Sequence, residues 1–530
     1  MKRLISSTIA LVMLFVFVLV PKADAARGTA EIVIFHTNDM HARVKTDDDD
    51  GKSIGLAEIS AAVKAAKAKN SNTLWLDAGD TFHGMPNINI SRGSNMVLLL
   101  NKSGLDAMSP GNHDYNYGAD RLQELAKSLN AAVLSANTIN RRTHKNIFKP
   151  YKIYKMNGVK VGVFGLTTPE TAYKSNPRNT ENIEFLNPIE QAQIMTKTLR
   201  KKCDVVIAVM HMGLDGSSEF TSELIAKEVP GIDLIVDGHS HTLLPEGLVV
   251  GDTLIVQTGW HGYKLGRVQI NVDHHKITSM QAQVLDADEV RSMAPAPDPD
   301  VIQTLTQIEK NNEKLFNDVV AKSDRQLTSN RLIVRRHESE LGNLCADAFR
   351  WRTGADIAVT NGGGLRADLP NGNVTRGDIM SIFPFGNTIQ MVEIKGSVIR
   401  EMLEHSVFAY PASFGGFLDV SGMTFSFDPT QPAGQRVTDI YIGDKLLDES
   451  KTYTLASNDF LFVGGDDYNM LKDLKVIAEY DTCEEVLADY LNKVGMNNIE
   501  VGRIKLLKEV PIPDEVPDGE TSYEQMNEAA

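Results

Sequence analysis

The sequence predicts a layered α/β architecture, with helices packed outside sheets, on three observations. From about Glu31 to Asp273, short β-rich runs alternate with amphipathic helical patterns. A Pro-rich break, Ala294-Pro-Ala-Pro-Asp-Pro-Asp300, is followed by a second mixed region with helices and strands of its own. The composition is 42 % hydrophobic and 23 % charged over 530 residues, which is globular and allows roughly two to four domains. It excludes a mainly disordered, collagen-like or multi-span membrane protein.

The first element is an export signal. Lys2 and Arg3 precede an apolar run from Ile9 to Val20, followed by Pro21 and Ala23-Asp24-Ala25. A charged start, an apolar stretch and a small-x-small end predict a secretory signal over 1–25, cleaved after Ala25. Its apolar run of 12 residues is short of the roughly 20 needed to span a bilayer. No cysteine lies near the cleavage point to carry a lipid. The mature chain is therefore expected to be exported, to the periplasm or the extracellular and cell-surface space, without stable membrane insertion.

Residues 26–293 follow. Glu31–His36, Thr73–Leu76, Ala131–Ser135, Val159–Gly165, Val205–Met210 and Leu234–Val236 read as buried strands. Ala57–Ala68, Ala119–Leu129 and Ser217–Lys227 read as amphipathic helices. Asn157-Gly158 is a hairpin turn signal between Tyr151–Met156 and Val159–Val163. Residues 294–318 are a linker with a helix over Val301–Leu315. Residues 319–509 form the second region, with helices over Leu341–Arg352, Gly396–His405 and Cys483–Leu491. The last stretch, 510–530, is acidic and rich in Pro, Glu and Asp, and is expected to be a disordered tail.

Charge narrows the partners. With 54 Lys and Arg against 69 Asp and Glu, the net charge is −15, which argues against a nucleic-acid polymer or a polybasic membrane anchor. A phosphate-bearing ligand must be held by a local positive site. Three scattered cysteines, Cys203, Cys345 and Cys483, are too few for a disulfide framework or a thiolate metal site.

Five segments place metal-competent side chains just past predicted strands. They are Asn38-Asp39-Met40-His41, Ala78-Gly79-Asp80, Gly111-Asn112-His113-Asp114, Met210-His211-Met212-Gly213 and Asp237-Gly238-His239-Ser240-His241. The C-terminal ends of strands are where open α/β sheets place ligands. One Asp-x-His or His-x-His alone is weak, because strand-end loops are polar anyway. Five in succession point to a metal centre. His83 and His261 are among the eight histidines that lack this pattern and read as hydrogen-bonded or solvated parts of the fold. Asp, Asn and His without cysteine exclude a closed structural zinc site and suit Mn²⁺, Zn²⁺, Fe²⁺ or Co²⁺. One carboxylate can bridge two such ions about 3.5–4 Å apart, the arrangement for in-line displacement at phosphorus.

This set resembles the calcineurin-like metallophosphoesterase signature, and its order resembles the bacterial secreted 5′-nucleotidase / UDP-sugar hydrolase family. The resemblance implies a four-layer αββα metallophosphoesterase domain followed by a smaller mixed α+β nucleotide-specificity domain. It implies that Asp39, His41, Asp80 and His241 hold one metal. Asp80 would bridge to a second, held also by Asn112, His211 and His239. His113 and Asp114 would be the catalytic pair, with Asp114 standing where many relatives carry Glu. The cofactor it implies is two divalent ions, Mn²⁺ or Zn²⁺ first and Co²⁺, Fe²⁺ or Mg²⁺ next. Such ions lower the pKa of a bridging water and bind the phosphate oxygens as charge builds. His113, beside Asp114, could stay protonated and serve the departing ribose oxygen.

The second region carries three more signals. Thr360-Asn361-Gly362-Gly363-Gly364-Leu365-Arg366 follows a predicted strand, Ala355–Val359, and offers backbone N–H groups with Asn361 and Arg366 as donors. Ser381-Ile-Phe383-Pro384-Phe385-Gly386-Asn387 puts an aromatic ring on a turn, and Asn458–Tyr468 supplies another followed by carboxylates. Singly each reads as structural; together they suit a base between two rings, since every base has a π-face. The resemblance extends here, implying that Phe385 and Phe460 stack on the base and Asp466 binds ribose. Arg366 with Asn361 would face phosphate, joined by Arg335 or its neighbour Arg336, and Gly363 would belong to the substrate-binding set. It also implies rotation of this domain about a helical linker near Val301–Leu315.

The function expected is a secreted two-metal phosphohydrolase acting on nucleoside 5′-phosphates by attack of a metal-bridging hydroxide, with a small-molecule nucleotide as its partner. The alternative on the same site is a nucleotide pyrophosphatase, a UDP-sugar or NAD hydrolase, or a 2′,3′-cyclic-nucleotide phosphodiesterase. A nucleotide-binding surface protein with incidental catalysis predicts decay of the ligand set, and every ligand is present.

Overall fold

The computed structural model describes residues 28–46, 52–175, 179–216, 218–496 and 499–511. The expected signal, and the acidic tail beyond residue 511, lie outside them. Two six-stranded sheets form the first region. One runs Lys276–Leu285, Leu265–Asp273, Ala30–Thr37, Thr73–Asp77, Ala107–Met108, Ala132–Val133 in spatial order. The other runs Leu248–Val250, Thr253–Val256, Leu234–Val236, Val205–His211, Val159–Thr167, Tyr151–Met156.

The period-2 alternation of each strand decides the layers. Ile32, Ile34, Leu74 and Leu76 meet Val161, Val163, Ile207 and Val209 in the core between the sheets. Their neighbours Val33, Phe35 and Trp75 point the other way, into a core shared with helices Leu56–Lys69 and Ser94–Ser103. Phe164, Leu166, Val206 and Ala208 pack with helices Pro188–Arg200 and Ser222–Glu228. The result is helix, sheet, sheet, helix. Asn157 and Gly158 both take positive φ, as a tight hairpin turn requires.

Parallel register brings the loops together. Thr37 pairs with Asp77, and Asp77 with Met108, so the segments after these three strands leave side by side. In the other sheet Thr167 pairs with His211. Helix Ser222–Glu228 starts later than Ser217 because Thr221 caps it, its hydroxyl accepting from Leu224 N at 3.1 Å.

Helix Pro299–Phe316 buries Val301 and Ile308 in the first region's core, so the linker rides on that region. The second region is mixed α+β. Its main sheet runs Leu418–Ser421, Ile357–Asn361, Thr452–Asn458, Thr388–Lys395, Val476–Thr482. Helices Glu340–Thr353 and Cys483–Lys493 pack on one face and Gly396–Val407 on the other. A smaller four-stranded sheet includes Met423–Phe427 and Val437–Ile442. The two regions touch where edge strand Val476–Thr482 meets the first, Glu479 N donating to Tyr173 O at 2.8 Å. Gly386, at φ 70°, approaches Gly84 so closely that a Cβ there would lie 2.6 Å from its carbonyl oxygen. Among the described residues, no helix is long and apolar enough to cross a membrane.

Candidate metal centre

Five of the seven expected ligand residues sit at loop positions in left-handed backbone: Asp39, His41, Asp80, His239 and His241, with φ between 44° and 79°. Each such non-glycine residue stores strain, and clusters of them mark sites where the surroundings over-determine the loop. The loops lock together through Asp39 N to Gly79 O and His41 N to Asp80 O, both 2.9 Å. Gly79 is obligatory here, because at φ 94° a Cβ would fall 2.4 Å from Gly111 N.

The side chains converge. His211 Nε2 lies 3.2 Å from Asp80 Oδ2, 3.2 Å from Asn112 Oδ1 and 3.9 Å from Asp39 Oδ1. His241 Nε2 is 3.4 Å from Asp39 Oδ1 and 3.3 Å from His41 Nε2. His239 Nδ1 is 2.9 Å from Asn112 Oδ1. Three overlapping groups bring donor atoms within 4.8 Å of one another: Asp39, His41 and His241; His41, Asp80 and His113; and Asp39, Asp80 and His211. Two fully buried carboxylates ringed by imidazole nitrogens are the donor chemistry of divalent cations, and the residues present fit such ions. Burial alone would raise Asp39, but His241 and His211 beside it hold its carboxyl below the ordinary range.

A supporting shell fixes which atom His211, His239 and Asp80 present. His211 Nδ1 is tied to Ala78 O at 2.7 Å, leaving Nε2 for the centre. His239 Nε2 meets Glu170 Oε2 at 2.8 Å, leaving Nδ1. Lys174 pairs with the same Glu170 oxygen at 2.9 Å. His113 N donates to Asp80 Oδ1 at 2.8 Å, turning Oδ2 inward. Neither Glu170 nor Lys174 sits in any motif of the sequence; only the fold brings them to His239.

The expected pairing of His113 with Asp114 is corrected by the structure. Asp114 is buried and accepts from the backbone N–H groups of Asp80, Thr81, Phe82 and Gly111 at 2.8–3.0 Å. It holds the Asp80 loop in place. His113–Tyr115 forms a 3₁₀ turn, in which residues three apart share a face while neighbours diverge. The side chain that meets His113 is therefore Asn116, whose Nδ2 lies 3.2 Å from His113 Nδ1. Burial pushes the His113 imidazole down to about 4, and burial together with Asp80 pushes Asp114 up to about 6. His113 Nε2 faces Glu479 Oε2 of the second region at 3.4 Å. Burial raises Glu479 to about 8, Asp459 and Asp80 adding to the shift against the pull of Lys174.

In the second region, Asn458 Nδ2 donates to Asn361 Oδ1 at 3.0 Å, and Asn361 Nδ2 donates to Asp466 Oδ2 at 2.8 Å. Arg335 is the arginine that acts on Asp466, whereas Arg336 acts on His337 and Tyr410. Phe385 and Phe460 are 50 % and 40 % exposed, while Phe383 and Phe462 are buried core. The Arg366 guanidinium lies 5.7 Å from the centre of the Phe385 ring. Gly363 departs from expectation. Its N–H is bonded to Gly415 O at 2.7 Å and that of Gly362 to Phe417 O at 2.8 Å, so these amides serve the turn itself.

Residues 32–243 match the calcineurin-like phosphoesterase family, and residues 319–473 match the 5′-nucleotidase C-terminal domain. A snake venom 5′-nucleotidase from Gloydius brevicauda is 30 % identical over 89 % of this chain and 88 % of that protein. The trifunctional nucleotide phosphoesterase YfkN of Bacillus subtilis is 30 % identical over 94 % of this chain; the match spans 36 % of that longer protein. The solved 5′-nucleotidase precursor from Thermus thermophilus superposes with a TM-score of 0.55 at 31 % identity, covering 91 % of this chain and all of that one.

Proposed function

We propose a two-metal reaction on nucleoside 5′-phosphates for this chain, which belongs to the 5′-nucleotidase family of calcineurin-like phosphoesterases and is a phosphoric monoester hydrolase of that type. The observation that carries the reading is the convergence of Asp39, Asp80, Asn112, His211 and His241, from strand-end loops of both sheets, with Asp39 and Asp80 each shared between donor groups. Asp39, His41, Asp80 and His241 would hold one ion, and Asp80, Asn112, His211 and His239 the other. When bound, two such ions supply Lewis-acid chemistry, acidifying water and neutralising charge on phosphate oxygens.

The chain's own residues do the rest. His113, accepting from Asn116 at Nδ1, presents Nε2–H outward, where it can serve the leaving ribose oxygen. A phosphate dianion beside the buried imidazole opposes the burial that keeps it neutral. Arg335 and Arg366 face the phosphate side of the nucleotide, Phe385 and Phe460 stack on the base, and Asp466, oriented by Asn361, accepts from ribose hydroxyls. Glu479 occupies the space in front of His113 Nε2 and yields to the leaving group when the second region swings on the 294–318 linker.

This reading takes residues 26–293 as the catalytic unit and 319–509 as the substrate-binding unit. It takes the chain as exported, from the charged, apolar and small-residue pattern of 1–25. The test is phosphate release from AMP, UMP, ADP, UDP-glucose, NAD, 2′,3′-cyclic AMP and p-nitrophenyl phosphate, with and without EDTA. Fastest release from a nucleoside 5′-monophosphate, abolished by EDTA, is the expected result. Preference for the non-nucleotide ester, or turnover indifferent to EDTA, contradicts it.

A further inference from the structure

His83 shows none of the strand-end pattern of the metal ligands, yet it is fully buried at the edge of the site. Its ring lies parallel to that of His113, the planes 10° apart and the centroids 6.2 Å apart. Between them stands Asn116, whose Nδ2 is 3.2 Å from His83 Nδ1 and 3.2 Å from His113 Nδ1. An amide nitrogen only donates, so both rings accept at Nδ1 and carry their proton on Nε2. Both Nε2 atoms then face carboxylates of the second region: Glu485 at 3.5 Å from His83 and Glu479 at 3.4 Å from His113. Asn116 Oδ1 is buried and meets no partner among the described residues, so the two rings alone set how the amide is turned.

We infer that His83 is a positioning residue for His113, acting through the shared Asn116 amide. Remove the acceptor at position 83 and Asn116 is free to turn. His113 then loses the bond that keeps Nε2–H pointing at the leaving oxygen. The inference rests on the reading of His113 as the group that serves the leaving oxygen.

The test compares His83→Leu with His83→Asn. The two replacements have the same number of side-chain heavy atoms, branched alike at Cγ, but only asparagine keeps a polar group where Nδ1 stood. His83→Leu is expected to lower kcat for AMP about tenfold with KM within about twofold. For p-nitrophenyl phosphate, whose phenolate leaves without a proton, kcat should fall less than about twofold. His83→Asn should recover most of the AMP rate. Equal losses on both esters, or no recovery in His83→Asn, overturn the inference. His113→Ala, run in parallel, separates the two readings. If His113→Ala discriminates between the esters and His83→Leu does not, the positioning role alone fails. If His113→Ala slows both equally, the role of His113 fails and takes this inference with it.

Discussion

The two halves of the proposed site are built by opposite means. The first is dry and over-determined: Asp39, Asp80 and His211 are buried, Asp39 and Asp80 are held in left-handed backbone, and the outer atoms of Asp80 and His211 are tied to backbone partners. The second is open: Phe385 and Phe460 are 50 % and 40 % exposed, and its polar part includes the short relay Asn458–Asn361–Asp466. Positioning charge at phosphorus demands rigidity, because the benefit of preorganised electrostatics vanishes with small displacements. Stacking on a base tolerates movement. The comparison predicts that damage to the first half abolishes turnover, whereas damage to the second changes which substrate is preferred.

The largest effect should come from Asp80→Ala. Asp80 belongs to two of the three donor groups, so metal content and turnover should fall together, the latter by about a thousandfold or more. Metal analysis beside a phosphate-release assay checks this, and full metal occupancy with full activity would break the comparison at its root. His113→Ala comes next, with kcat lowered about a hundredfold while both metals stay bound. Loss of the metals in that variant would make His113 a ligand instead.

Phe460→Ala should act on the other half alone. KM for AMP should rise about tenfold, as expected for one lost stacking contact, with p-nitrophenyl phosphate unaffected. An equal change for both esters would place Phe460 outside the nucleotide face. The smallest effect concerns stability. Asp419 is buried under Ser339, and burial pushes its carboxyl up to about 8. A carboxyl that binds its proton more tightly in the folded state loses stability as pH rises from its unfolded pKa, about 4, towards 8. Thermal melts of Asp419→Asn should show a flatter decline across that window than the parent, with metal content unchanged. Parallel pH profiles for the two proteins would refute the assignment.

Much of the first half was legible in the sequence because its chemistry is written in short segments: each strand end carries its own Asp, Asn or His, and register within each sheet together with packing between the two sheets brings them together. The partner of His113 was not legible. Adjacency favoured Asp114, but the 3₁₀ turn at His113–Tyr115 sends Asp114 to four backbone amides and brings Asn116 round instead. Glu170, Lys174, His83 and Glu479 were hidden for a different reason. Their roles are contacts across the fold, such as 69 residues between Glu170 and His239, and no local pattern encodes such a distance. The role of the Gly363 amide was not legible because a glycine run reads the same whether its amides face a ligand or close a turn, and here those of Gly362 and Gly363 bond Phe417 and Gly415. Of the aromatics, Phe385 and Phe460 differ from Phe383 and Phe462 only in exposure, which depends on packing beneath them.

One measurement reaches the centre of the account. Metal-stripped protein reloaded with Mn²⁺ should take up two ions per chain, and their paramagnetic resonance spectrum should show the spin coupling of a bridged pair. In Asp80→Ala that coupling should vanish. A single uncoupled ion in the parent, carrying full phosphate-releasing activity, would contradict it.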